Sequence, residues 1–260
     1  MELNGAPVTA AQIAALGLVG YGHFTSMRVT DGAVKGLTLH LDRLRRDCRT
    51  VFATDLDTSH VRDLIRRALP TTPGALVVRI TIFDPDLELA HPGAPAHPQV
   101  LVSFRAAPAL PPTPLTLQSA VFRRDMPQVK HVGLFGPMHL RAAAQRDGYD
   151  DVLFVEPDGT ISEIATSNLG VITTDGQLIW PDAEVLPGTT MRLISQARDE
   201  DVLVEKVTLA QLPKFAAIVA TNAAVGVRAV ARIDDHHFPT EHELITTLRQ
   251  EYDSIPPQRI

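Results

Sequence analysis

Residues 106–114 read Ala-Ala-Pro-Ala-Leu-Pro-Pro-Thr-Pro, and no regular element can run through them. Each proline fixes its own φ, removes an N–H donor and pushes the preceding residue away from the helical region, so this stretch is extended and semi-rigid. A chain of 260 residues, 45% of them hydrophobic, also approaches the size at which single cores stop growing, roughly 250 residues. The expected organisation is an N-terminal lobe over 1–106, a linker over 107–114 and a C-terminal lobe over 115–260.

The N-terminal lobe reads as hairpin strands and helices. Asn4-Gly5 marks a hairpin turn, His23–Val29 a strand, and Asp31-Gly32 the turn into Ala33–Leu37. Apolar residues at Leu37, Leu41, Leu44, Cys48 and Val51 give a helix over Thr38–Phe52 with Thr38 as N-cap. A second helix over Ser59–Leu69 stops at Pro70, and strands over Ala75–Phe83 and Val100–Arg105 flank a Pro- and Gly-rich loop. In the C-terminal lobe, helices are expected at Pro137–Asp147, from Gly188 to about Ala197, and at Glu241–Tyr252. Short strands lie between them, and Asp234–His237 reads as a polar turn. This mixture, with no GxGxxG and no P-loop, indicates α+β lobes rather than a dinucleotide-binding sheet.

A net charge of -6 and an acidic pI give neither nucleic acid nor an anionic membrane surface anything to attract. No apolar run is long enough to span a bilayer, and the N-terminus lacks a basic segment typical of secretion. The single cysteine, Cys48, allows no intrachain disulfide and suits a cytoplasmic setting. It sits in a helical pattern as a small core residue.

Only four of the 24 basic residues are lysines: Lys35, Lys130, Lys206 and Lys214. An amine can lose its proton and attack a carbonyl, whereas a guanidinium effectively cannot. Lys130, expected at the end of a strand, is followed by Glu163 and Asn168 in Ser162-Glu163 and Ser167-Asn168. Leu186-Pro187-Gly188-Thr189-Thr190 then opens a helix. Such a helix start offers free N–H groups and hydroxyls to a phosphate. Arg43, in His40-Leu41-Asp42-Arg43-Leu44, can clamp the same group. A carboxylate such as Glu163 can pair with a protonated pyridine nitrogen. Read singly, each residue is an ordinary surface or turn residue. Adjacent His236 and His237 have no second ligand cluster at metal-binding spacing, so no metal is expected.

Taken in order, these motifs resemble the fold-type IV enzymes that use pyridoxal 5′-phosphate (PLP). That family holds branched-chain and D-amino acid aminotransferases, (R)-amine transaminases and aminodeoxychorismate lyases. The resemblance runs from Gly20 to the end of the chain and includes Gly20-Tyr21-Gly22-His23-Phe24 and Ala220-Thr221-Asn222-Ala223. It implies a two-lobed α+β fold like that of D-amino acid aminotransferase, with a small N-terminal α/β lobe and a larger C-terminal lobe, and a homodimer. It further implies that Lys130 carries PLP as a Schiff base and moves the substrate proton, and that Glu163 faces the pyridine nitrogen. Arg43, Thr189, Thr190 and Thr221 or Asn222 then hold the phosphate, with Asn168 in the same binding set.

The implied reaction is transfer of an amino group between an amino acid or amine and a 2-keto acid. The alternative is release of pyruvate and 4-aminobenzoate from aminodeoxychorismate, and a non-catalytic PLP-binding protein is a remote third reading. Phe24, Ser26 and Arg28 share one face of their strand. Ser26 is a hydroxyl residue where the lyases of the family carry one, which makes it a catalytic candidate. Thr81–Pro85 lacks the Arg and His with which D-amino acid aminotransferases hold a substrate carboxylate, so Arg28 and Arg124 are the candidates for that task. Phe135 stands where many of the aminotransferases place a tyrosine.

Overall fold

The computed structural model describes residues 1–71 and 73–260. In chain order the elements are β1 (Glu2–Leu3), β2 (Ala6–Pro7), α1 (Ala10–Val19), β3 (His23–Thr30), β4 (Ala33–Val34), α2 (Leu37–Phe52), α3 (Thr58–Ala68), β5 (Ala75–Phe83) and β6 (Gln99–Ala106). There follow β7 (Leu115–Val121), α4 (Phe135–Arg146), β8 (Asp151–Val155), β9 (Ile161–Ile164), β10 (Asn168–Ile172), β11 (Leu178–Pro181), α5 (Thr189–Ala197) and β12 (Leu203–Glu205). After a short 3₁₀ segment at Leu209–Lys214 come β13 (Ala217–Asn222), β14 (Gly226–Ile233), β15 (His236–His237), α6 (Glu243–Ser254) and β16 (Gln258–Arg259). The fold is α+β, and among the described residues no helix is long and apolar enough to cross a membrane.

The chain divides into two compact units. The first is Met1–Ala107 with Val129–Gly133 and Pro257–Ile260; the second is Pro108–Gln128 with Leu134–Pro256. The change at 107/108 falls where the prolines begin. The later returns to the first unit rest on main-chain pairing that no local pattern announces: His131 bridges His23, and β16 pairs with β4.

In the first unit a seven-stranded sheet runs β16-β4-β3-β5-β6-β1-β2. Side chains alternate along β3, so Met27 and Val29 turn toward a core shared with Val78, Ile80 and Ile82 of β5. Leu44 and Cys48 of α2 and Val61, Leu64 and Ile65 of α3 complete it. Burial raises the Cys48 thiol to about 11, with help from Asp55, which leaves the residue inert packing. The opposite face carries Phe24, Ser26 and Arg28, in register with Thr81, Arg79 and Val77 of β5.

Two local readings are corrected here. The N-cap of α2 is Gly36, in the left-handed region at φ 69°, which a glycine adopts without strain. Thr38 sits inside the first turn, where its N–H donates to Gln258. Helix α1 is not anticipated by the sequence: nearly all of its residues are apolar and none is fully buried, so no amphipathic stripe marks it. Thr9 and Gln12 nonetheless form a capping box at its start.

The second unit holds a nine-stranded sheet, β12-β11-β10-β13-β14-β7-β8-β9, with β15 paired to β14. His236 and His237 are therefore a short strand rather than only a turn. Residues such as Leu117, Leu153, Ile161, Val171, Ile218 and Val230 form one core. Another gathers Trp180, Ile194, Val219, Val227, Ile245 and Leu248 from the sheet, α5 and α6. Strands β10 and β13 are fully buried but for the half-buried Asn222 at the end of β13, and they give the residues at the start of α5 a rigid support.

Candidate active site

Within the first unit, Lys130 lies not at a strand end but on an irregular segment running along the edge of β3. Its carbonyl accepts the N–H of Phe24 at 2.8 Å, and the N–H of Val132 donates to Gly22 at 2.9 Å. Its Nζ stands 5.0 Å from the centre of the Phe24 ring. The Arg79 guanidinium stacks on the same ring at 3.6 Å, and Ser26 is directly opposite Arg79 across the strands. Burial draws Arg79 below its ordinary pKa. Its Nε donates to Thr81, and among the described residues no carboxylate pairs with it. The sequence reading passed over Arg79, because an arginine inside a strand looks like a solvent-facing residue; only its register opposite Ser26 distinguishes it. Arg28 shares this face one pair further on, opposite Val77.

Arg43 is buried on α2, unlike its neighbour Arg45, which reaches outward to Thr58 and Asp42. One Arg43 nitrogen donates to the Thr25 hydroxyl and lies 3.2 Å from His40 Nδ1. The Thr25 hydroxyl lies 2.8 Å from the same Nδ1, so the three side chains form one buried polar cluster. Burial first, then the charges of Arg43 and Lys130, hold His40 well below the usual histidine range and keep it neutral.

Within the second unit, Glu163 is buried on β9. Arg124 donates its Nε to Glu163 Oε1 at 2.6 Å and Nη2 to the carbonyl of Ala165 at 2.7 Å. Arg124, a candidate for a substrate carboxylate in the sequence, is thus paired with Glu163 in the fold. Asn168 donates to the Leu186 carbonyl at 2.8 Å and so fixes the approach to α5. Helix α5 begins at Thr189 after Gly188, which offers no side-chain cap. A Cβ at Gly188 would fall 1.9 Å from Asn168 Oδ1, so only glycine permits this packing.

Thr190 in the first turn of α5 and Thr221 at the end of β13 each bury a hydroxyl with no hydrogen-bond partner among the described residues. Thr221 pairs with Asn168 in the sheet register. Asn222 is occupied: its amide donates to Ser167 and its oxygen accepts the N–H groups of Ala224 and Val225. Of the two residues expected in this loop, Thr221 is the one with a hydroxyl to offer. Phe135 opens α4, where its largely exposed ring stacks on His139.

Comparison with known proteins fits these observations. The sequence profile of the family Amino-transferase class IV matches residues 22–233. A probable branched-chain-amino-acid aminotransferase of Rickettsia bellii is 30% identical over 115 residues, 42% of this chain and only 39% of that protein's length. A hypothetical aminotransferase from Mycobacterium tuberculosis in its PLP-bound form superposes with a TM-score of 0.83 at 19% identity, covering 96% of this chain and 94% of that one. The branched-chain amino acid aminotransferase of Escherichia coli gives 0.83 at 20% identity, covering 95% and 91%. A putative 4-amino-4-deoxychorismate lyase from Legionella pneumophila gives 0.75 at 23% identity, covering 91% and 93%. These structural likenesses establish a shared fold, and the profile, which spans most of the sequence, establishes kinship: the chain belongs to the class IV amino-transferase family.

Proposed function

We propose that this protein is a PLP-dependent aminotransferase that moves an amino group between an amino acid or amine and a 2-keto acid, with Lys130 as the residue that attaches the cofactor. The observation that carries the reading is the start of α5. Two buried hydroxyls, Thr190 and Thr221, without partners among the described residues, accompany a helix N-terminus that lacks a side-chain cap. A buried hydroxyl left unsatisfied costs about 1–3 kcal/mol, and a phosphate supplies the missing acceptor. In the first unit, Arg43 is a buried guanidinium of the kind that binds a phosphate dianion. The residues present therefore fit PLP.

Bound, PLP withdraws electrons from the carbon that carries the amino group. The chain's own residues do the rest. The Lys130 amine takes the proton released at that carbon and returns it. Glu163 holds a proton on the ring nitrogen, and Arg124 orients that carboxylate. Arg79, stacked on the Phe24 ring opposite Ser26 and without a carboxylate partner among the described residues, is suited to hold a substrate carboxylate. The second reading, lyase chemistry, is favoured by Ser26, whose hydroxyl stands on this same face. We place the protein in the cytoplasm as a homodimer, which light scattering at micromolar concentration tests.

The test is an absorbance spectrum of the purified protein with added PLP, followed by two assays on one sample. One follows keto acid formation from D- and L-amino acids with 2-oxoglutarate or pyruvate. The other follows 4-aminobenzoate and pyruvate from aminodeoxychorismate. A borohydride-reducible visible band, lost in Lys130→Ala, with turnover in the first assay is the expected result. Turnover only in the second shifts the reading to the lyase. A wild-type protein with no such band removes it.

A further inference from the structure

Asp47 is completely buried on α2, one turn beyond Arg43. Its two oxygens serve different partners. Oδ2 accepts the main-chain N–H of Lys130 at 3.0 Å. Oδ1 accepts Nε and Nη2 of Arg46, at 3.0 and 2.7 Å. The Lys130 peptide is thus gripped on both sides, its N–H by a helix and its carbonyl by the N–H of Phe24 on β3.

A buried carboxylate is costly even with the half-exposed Arg46 as its charge partner, and a backbone N–H by itself could be satisfied by a neighbouring carbonyl or water. What the charge adds is strength and direction, since ionised acceptors form hydrogen bonds roughly twice as strong as neutral ones. It also adds registration. His40, Arg43 and Asp47 follow at spacings of three and four, a buried polar stripe along one side of α2. A helix rises about 1.5 Å per residue, so Arg43 and the Lys130 anchor are fixed about 6 Å apart along one rigid rod. Arg46, on the outer side, braces the carboxylate so that Oδ2 stays directed at Lys130.

From this geometry we infer that Asp47 is a positioning residue: through the Lys130 main chain it sets where the Lys130 amine stands relative to the anion clamp Arg43. The inference rests on the reading of Lys130 as the attachment amine. In that attachment the amine and the aldehyde of PLP join as a C=N bond and one water is released. Displacing a reacting group by on the order of an ångström can slow a step about 100-fold, so loss of the anchor bears directly on this rate.

The experiment compares wild type, Asp47→Ala, Asp47→Asn and Arg46→Gln, each freed of cofactor. The attachment rate of PLP is read from borohydride-trapped protein by mass spectrometry. Affinity for pyridoxamine 5′-phosphate, which shares the phosphate and ring but has no aldehyde, is read separately. The expected result is attachment slowed about tenfold or more in Asp47→Ala, with pyridoxamine 5′-phosphate affinity little changed. Asp47→Asn, which keeps an oxygen for the Lys130 N–H, recovers much of the rate. Arg46→Gln, which keeps the carboxylate but removes its brace, attaches PLP at a rate between those of wild type and Asp47→Ala. Attachment at the wild-type rate in Asp47→Ala overturns the inference, as does an equal loss of pyridoxamine 5′-phosphate affinity, which makes Asp47 a general support of α2. Should Asp47→Ala not fold, Arg46→Gln decides: attachment slowed with pyridoxamine 5′-phosphate affinity unchanged supports the anchor, and attachment at the wild-type rate overturns it. If wild type itself attaches no PLP, the proposed function fails; if only the variants disagree, this inference alone fails.

Discussion

Glu163 and Arg124 form an ion pair with side-chain exposures of 6% and 14%, and burial of this degree makes each partner depend on the other. Removing the guanidinium takes a charge partner from a buried carboxylate, a change that costs about 3–5 kcal/mol in pairs of this kind. Arg124→Met is therefore expected to lower stability in urea by about 3 kcal/mol, with part of it recovered when Glu163→Gln is added. Simple additivity of the two would show that the pair does not couple. His23 poses a different electrostatic problem. It is fully buried, neither ring nitrogen finds a partner among the described residues, and burial lowers its pKa to about 3. The unfolded chain takes up this proton near 6.5, and the folded chain does not until about 3. Stability contributed by the neutral ring is thus complete above pH 6.5 and is lost as pH falls toward 3. The slope amounts to about 1.4 kcal/mol per pH unit for one proton. His23→Leu is expected to flatten urea-derived stability against pH across that window relative to wild type. Parallel curves would mean that another group carries the acid sensitivity.

At the scale of elements, the parts legible in the sequence were those with a local periodic signal. Strand β3, helices α2 and α3, and the Gly188 start of α5 follow from alternation, from three- and four-residue spacing and from a turn residue before a helix. Helix α1 was not legible, because its mostly apolar residues, of which only Ile13 and Leu16 pack in part against Leu3, Phe83 and Leu101, leave no clear stripe. The seating of Lys130 was not legible either. Its segment has one bridge and no strand, and its anchor, Asp47, comes from 83 residues earlier. Arg124 and Arg79 exchanged their expected importance for the same reason, since only register and contact show which guanidinium already has a carboxylate. The start of α5 gives a sharp test. Gly188→Ala places a methyl group 1.9 Å from Asn168 Oδ1, so the side chain or the helix start must move. PLP affinity is expected to fall about tenfold, the equivalent of one poorly placed phosphate hydrogen bond. Gly17→Ala, which meets nothing within 4 Å, is the control and is expected to leave affinity unchanged. Equal affinities in the two variants would remove the α5 N-terminus from the binding site.

For the whole molecule, the boundary near residue 107 is a change of unit but not a place to cut. The first unit is assembled from three separate pieces of chain. The last of them gives β4 a partner through Gln258 and Arg259. It also places Ile260 in the core, with its N–H donating to Gly32 and its carbonyl accepting from Arg66. A fragment of residues 1–107 keeps every helix of that unit and all of its strands but this one. It loses the side chain of Ile260, whose burial stabilises by about 1.5–3 kcal/mol, along with the bridge at His131 and the Asp47–Lys130 bond. A sum of that size is a large fraction of the stability of a domain this small. The fragment is expected to unfold at a lower temperature, or without cooperativity, when followed by circular dichroism. The same fragment joined by a flexible glycine-serine tether to residues 257–260 is expected to melt several degrees higher, since about 1 kcal/mol shifts the midpoint of a domain near 100 residues by roughly 4–8 °C. Identical melts for the two would mean that residues 257–260 decorate the first unit without holding it. A gap between them would show that its fold is completed only after the second unit has been written into the chain.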